Sequence, residues 1–351
     1  MVGSLMVNSK RPSGYTCSKS SNLRCHDAVI HQETPRMTVP SQQSVNLSNA
    51  SFSAQALLAS FPLIRGLDPA FEEALRYVLG NAGSLIRPQL VFAMAIEYGL
   101  DRARAEQLAV ALEYFHTASL LFDDLPCMDN ALMRRGEACA HLRFGQEGAI
   151  LAALALINRA YALTWRAVAG CSHGMQPRAL EFVERCLGAE GLLNGQSLDL
   201  HFADLPHSKE TTENIARGKT VSLIRLTLVL PAMLGDARAR ELQLLERIAL
   251  YWGLAYQILD DLKDVLQDAA QSGKTAARDA ALGRPNLAAV IGIGAAMARL
   301  TRLVALGGRA LQSLLDCRPG IEFLERLAEQ LDEELGRVTQ SACALAEKTA
   351  A

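Results

Sequence analysis

The chain has 351 residues, 50% of them hydrophobic, with 35 Lys plus Arg against 37 Asp plus Glu. That length and apolar content suffice for a sizeable core in one large or two ordinary domains, and a net charge of −2 excludes a surface built for nucleic acid. The 8 cysteines form no CxxC pair and no Cys/His set at zinc spacing, so a thiolate metal site is not expected and a reduced compartment fits.

Residues 1–50 are rich in Ser, Thr and Asn and show no sustained apolar period, so they read as a disordered tail. Lys10, Arg11, Lys19, Arg24 and Arg36 outnumber Asp27 and Glu33 there, a balance that suits a transit peptide or an ordinary tail. The location is cytoplasmic, or plastid or mitochondrial if the tail is such a peptide. Residues 53–349 form the folded domain. They are dominated by Ala, Leu, Glu and Arg with apolar positions three and four apart, which predicts an all-α, single-domain helical bundle. Asp101 caps one long segment that runs towards Pro126, and residues 237–268 form another. Both are apolar on most sides, as central bundle helices are. The longest uncharged stretch, residues 285–298, is shorter than the roughly 20 residues that span a bilayer, so no transmembrane helix is expected.

Each long segment ends in aspartates. "FDDLPCMDNALMRRG" holds Asp123, Asp124 and Asp129 just before Arg134 and Arg135, and "YQILDDLKD" holds Asp260, Asp261 and Asp264. Asp260 and Asp264 stand one above the other on a helical face. Like charges at that spacing repel, and the carbonyl end of a helix disfavours negative charge, so the arrangement calls for a cation. One such group alone reads as a solvated helix end. Two of them, each closing an apolar helix, with Arg134, Arg135, Lys219 and Lys274 nearby in sequence, read as a site for a hard divalent cation and phosphate.

Over residues 60–345 the chain resembles the trans-isoprenyl diphosphate synthases, the head-to-tail prenyltransferases. "DDLPCMD" is similar to that family's first aspartate-rich motif, and "YQILDDLKD" to its second, with Tyr256 in place of the usual Phe. "LNGQSLDL" (Gln196, Asp199), "RGKT" (Lys219, Thr220) and "SGKTAARD" (Gly273, Lys274, Asp279) follow in family order.

The resemblance implies helices around a deep apolar cavity, a homodimer, and aspartate groups facing each other across the cavity mouth. It implies that Asp123, Asp124, Asp129 and Asp260, with Asp261 and Asp264 in support, hold about three Mg²⁺ ions on an allylic diphosphate. Arg134, Lys219, Thr220, Gln257 and Lys274 would contact that diphosphate, with Asp123, Asp124, Lys219 and Asp260 at the reacting centre. Isopentenyl diphosphate would meet Arg87, His116 and Arg135.

Three features depart from the family pattern. "AGSLIRP" stands where the family has GGKxxRP, so Arg87 is kept but Ser84 replaces a lysine. Losing one charge-assisted hydrogen bond of about 1.5–3 kcal/mol predicts weaker binding of isopentenyl diphosphate. Ala131 and Leu132 replace an acidic pair, and Phe122 a histidine. The departures keep two rivals beside the elongating synthase: a terpene synthase-like enzyme that ionises without elongating, and a non-catalytic partner subunit. Ala118 and Ser119 are expected on the cavity wall and Phe115 at its floor, giving a product near geranylgeranyl diphosphate in length.

Overall fold

Asp68, Asp101, Ser208 and Asn286 each accept a hydrogen bond from the backbone amide three residues ahead, satisfying an end that a helix leaves bare. These caps start α1 (Pro69–Gly80), α3 (Arg102–Asp123), α7 (Lys209–Ala216) and α10 (Leu287–Ile291). Between them lie α2 (Ile86–Glu97), α4 (Ala140–Ala169), α5 (Met175–Leu187), α6 (Leu192–Leu200), α8 (Ser222–Leu234) and α9 (Ala239–Leu266). The chain closes with α11 (Ile293–Leu315) and α12 (Glu325–Ala350). The structure is a computed structural model that describes residues 61, 66–81, 83–266 and 283–350. Residues 1–50 and Lys274, both assigned roles from sequence, lie outside the described residues.

The all-α expectation holds, with one small exception: β1 (Met133–Arg134) pairs antiparallel with β2 (Glu137–Ala138). The two long aspartate-bearing segments are α3 and α9. Each is flanked on several sides, α3 by α2, α4 and α8, and α9 by α8, α11 and α12. This explains why neither has a single apolar face. One apolar cluster joins α1 to α5 with α8, centred on residues such as Leu108, Leu112, Leu156 and Leu230. A second joins α9 to α11 and α12 through Leu259, Leu262, Leu300 and Leu303.

α4 is, by length and composition, apolar enough to cross a membrane, a property that the core helix of a bundle shares, and charged residues such as Arg159 interrupt it. It lies along α3 with Ala149, Ala152, Ala153, Leu156, Ala160 and Leu163 buried, small side chains that let two helix backbones approach closely.

Arg318 ties three elements together behind this bundle. Its guanidinium bonds Glu241 and Asp236 at 3.0 Å each, donates to the Glu97 carbonyl at 3.2 Å, and lies 4.3 Å over the Tyr98 ring. Glu241 is completely buried, so its charge depends on Arg318 and on Arg238 at 3.3 Å. Arg318→Ala is expected to lower the free energy of urea unfolding by about 3 kcal/mol, because a buried carboxylate loses one of its two arginine partners. A loss under about 0.5 kcal/mol, the usual range for a surface residue, contradicts this role.

Candidate active site

The first aspartate group sits where α3 runs out. Asp123 is its last residue and Asp124 its C-cap. Asp124 is 3% exposed, and Arg134 donates Nε to both its carboxylate oxygens, at 3.0 and 3.2 Å, with a further contact from Nη2. Arg134 reaches it because β1 and β2 are joined by a two-residue turn in which Arg135 (φ 55°) and Gly136 (φ 83°) both lie in the left-handed region. Such a turn matches the twist of the paired strands but costs a non-glycine residue about 1 kcal/mol. "RRG" is therefore a structural signal as well as a pair of charges.

Asp123 carries the clearest electrostatic signature. Burial raises its carboxyl to about 6; Lys219 and Arg134 pull it down, while Asp129 and Asp199 push it up. A carboxylate with high proton affinity among other carboxylates is a good ligand for a hard cation. Among the described residues no three His, Cys, Asp or Glu side chains converge into a ready cage. That fits Mg²⁺, which takes one or two carboxylates and completes its shell with water and substrate phosphate.

Lys219 and Thr220 lie in a five-residue π-helical segment, Arg217–Val221, wedged between α7 and α8. π-helical insertions are rare and concentrate at functional sites because they turn successive side chains to unusual directions. Here the two neighbours bond different partners. Lys219 Nζ bonds Asp199 Oδ2 at 3.0 Å; burial alone would lower its pKa, but Asp199 and Asp123 outweigh that and leave it raised. Thr220 Oγ1 donates to Gln257 Oε1 at 2.8 Å, and Gln257 Nε2 donates to Asp261 Oδ1 at 2.9 Å. α6 can approach this segment only because Gly195 meets Gly218; a Cβ on Gly195 would come within 2.4 Å of the Lys219 amide nitrogen.

In the second group Asp261 is buried, and its Oδ2 also accepts the Leu287 amide at 2.7 Å, joining α9 to α10. It is a strut, whereas the metal ligand role assigned to it from the resemblance falls more readily to Asp260 and Asp264, which are only partly buried on the same helix. Arg284, which no sequence motif marked, donates to Asp129 Oδ1 at 2.9 Å and to the Met128 carbonyl at 3.1 Å. It spans 155 residues of sequence. Only its place just before a capped helix could have drawn attention to it.

Arg87, His116 and Arg135 also come together. Burial and then the charges of Arg87, Arg135 and Arg134 hold His116 down at about 2, so its imidazole is neutral, and its buried Nδ1 has no hydrogen-bond partner. The buried Glu113 carboxyl is raised by desolvation and drawn back by Arg87 and Arg135. The Arg135 guanidinium fills the space over Gly83, beside Ser84. Ala118, expected on the cavity wall, is wholly buried in the core, while Ser119 is partly exposed and bonds the His116 carbonyl at 2.8 Å. Phe115 is buried edge-on against Tyr161, ring centroids 4.9 Å apart.

An all-α bundle in which Lys219 and Thr220 of one π-helical turn reach Asp199 and the Gln257–Asp261 pair has the architecture of an isoprenoid synthase. The polyprenyl synthetase family profile matches residues 68–312. Geranylgeranyl pyrophosphate synthase 9, chloroplastic, of Arabidopsis thaliana is 34% identical over 78% of this chain and 80% of its own length. Geranylfarnesyl diphosphate synthase, chloroplastic, of Leucosceptrum canum is 32% identical over 82% and 79%. A geranyltransferase from Helicobacter pylori, solved complexed with magnesium and isoprenyl diphosphate, superposes with a TM-score of 0.65 at 25% identity, covering 83% of this chain and 94% of that one. The chain belongs to the polyprenyl synthetase family, the trans-isoprenyl diphosphate synthases, and is a trans-prenyltransferase.

A carboxyl held near 6 in the folded chain and at its ordinary 3.8 when unfolded is ionised at a cost. That cost is fully present above pH 6 and fades as pH falls towards 3.8. Asp123→Asn is therefore expected to stabilise the chelator-treated protein at pH 8 by about 1–2 kcal/mol in urea unfolding, with the gain shrinking by pH 4.5. A variant no more stable than the parent at pH 8 contradicts the assignment.

Proposed function

We propose that this prenyltransferase condenses isopentenyl diphosphate with an allylic diphosphate, head to tail and in the trans sense, in a magnesium-dependent reaction, and that its product is geranylgeranyl diphosphate. The observation that carries the reading is the pair Lys219–Thr220, adjacent residues of which the first bonds Asp199 within the electrostatic reach of Asp123 and the second bonds Gln257, the partner of Asp261. A diphosphate placed between the aspartate groups lies within reach of both.

Asp123 and Asp260 would hold the metal directly, with Asp124 and Asp129 beside them under Arg134 and Arg284, and bound Mg²⁺ would neutralise charge that builds up as the allylic C–O bond breaks. The chain supplies the remainder. Arg134, locked onto Asp124, places a guanidinium beside the departing diphosphate without needing to reorganise. Thr220 and Gln257 present fixed dipoles to the reacting end of the allylic chain. Arg87 and Arg135 offer two positive charges to the second diphosphate, and neutral His116 offers a hydrogen bond without adding to their mutual repulsion. The Arg135 guanidinium packed over Gly83, the residue before Ser84, supports an anion site that functions without the family lysine. Asp261 keeps Gln257 oriented rather than holding metal itself.

A relative named for the geranylgeranyl product supports the expected length, and the chloroplastic names of the relatives favour a plastid location over the cytoplasm. Leu151, Leu154, Tyr161 and Trp165 are exposed along one face of α4, which supports pairing with a second copy.

Purified protein incubated with Mg²⁺ and farnesyl diphosphate, with and without isopentenyl diphosphate, tests the reading by chromatography of the products. Geranylgeranyl diphosphate formed only when both substrates are present supports it. Diphosphate release without isopentenyl diphosphate identifies an ionising enzyme instead, and no turnover until a partner synthase is added identifies a subunit. Phe115→Ala opens space beneath Tyr161 and is expected to lengthen the main product; an unchanged product removes Phe115 as the floor.

A further inference from the structure

Asp199 belongs to neither aspartate group, yet it stands at the centre of the site's charges. It is buried on α6, accepts Lys219 Nζ at 3.0 Å, and lies 3.7 Å from Arg284 Nε. Arg284 in turn holds Asp129. The charges therefore alternate along one line: Asp129, Arg284, Asp199, Lys219. Lys219 also feels Asp123 and Asp129, so three carboxylates compete for one ammonium, and the one that binds it lies outside the first aspartate group.

That choice has a consequence for metal binding. An ammonium bonded to Asp123 would occupy the oxygen a divalent cation needs, and the cation would have to displace it from a partly buried pair. Bonded to Asp199, the same ammonium is satisfied and leaves Asp123 open. The backbone enforces the arrangement, because the Gly195–Gly218 contact fixes α6 and the π-helical turn at a single separation.

We infer that Asp199 is a positioning residue that holds Lys219 off Asp123, keeping that carboxylate available to a divalent cation. The inference rests on the proposed role of Asp123 as a metal ligand.

The test is Mn²⁺ binding to the full chain without any diphosphate, followed by the paramagnetic resonance of free Mn²⁺. Asp199→Asn releases Lys219 onto Asp123 and is expected to weaken binding at least tenfold. Adding Lys219→Met to that variant removes the competitor and restores affinity to within about twofold of the parent. Lys209→Met, which removes an equal charge elsewhere, restores nothing. Unchanged affinity in Asp199→Asn overturns the inference, as does a double variant as weak as the single, which would make Asp199 a ligand itself. If Asp199→Asn does not fold, the charge-balanced double variant carries the test alone: affinity near the parent's supports the inference, and a tenfold loss overturns it. A parent chain that binds no Mn²⁺ at millimolar concentration, or binds it equally well after Asp123→Asn, removes the metal reading and the inference together.

Discussion

Repulsion among carboxylates at the carbonyl ends of two crowded helices is the constraint around which this molecule is organised. α3 and α9 are buried on several sides for hydrophobic reasons, yet each delivers aspartates to the end of a helix where the dipole least favours them. The cost is visible in Asp123, whose carboxyl burial pushes up to about 6. Neighbouring cations offset part of that cost and leave the rest for metal and diphosphate.

The cations come from unrelated parts of the chain. Arg134 arrives on a hairpin turn that forces Arg135 into a left-handed conformation, Lys219 on a π-helical segment, and Arg284 on the approach to α10. Each of these is an irregularity in an otherwise regular bundle, and each costs local stability. Their placement is consistent with a site in which positive charge is fixed by backbone geometry rather than by flexible side chains. The same economy explains Gln257 and Asp261, where one hydrogen-bonded line from Thr220 to the Leu287 amide joins the site to the packing of α9 on α10.

Much of this was legible in the sequence, for reasons that differ by residue. Asp101 announces α3 because capping is a local interaction, and the aspartate pairs announce the site because their charge conflicts with the apolar helices that carry them. The resemblance to a known family added the roles of Lys219, Thr220 and Gln257. Arg284, Asp199 and Arg318 were not legible as partners, since their contacts join residues from 20 to more than 200 positions apart and leave no periodic trace.

The central claim is that two half-sites of like charge are completed jointly by metal and diphosphate. Thermal unfolding measured with Mg²⁺ alone, inorganic pyrophosphate alone and both together tests this most directly. The account predicts small shifts for each alone and a shift for the pair well above their sum, since ligands near a hundredfold over their dissociation constant stabilise by about 2.7 kcal/mol. A chain stabilised as strongly by pyrophosphate without Mg²⁺ as with it, or untouched by the pair, would contradict it.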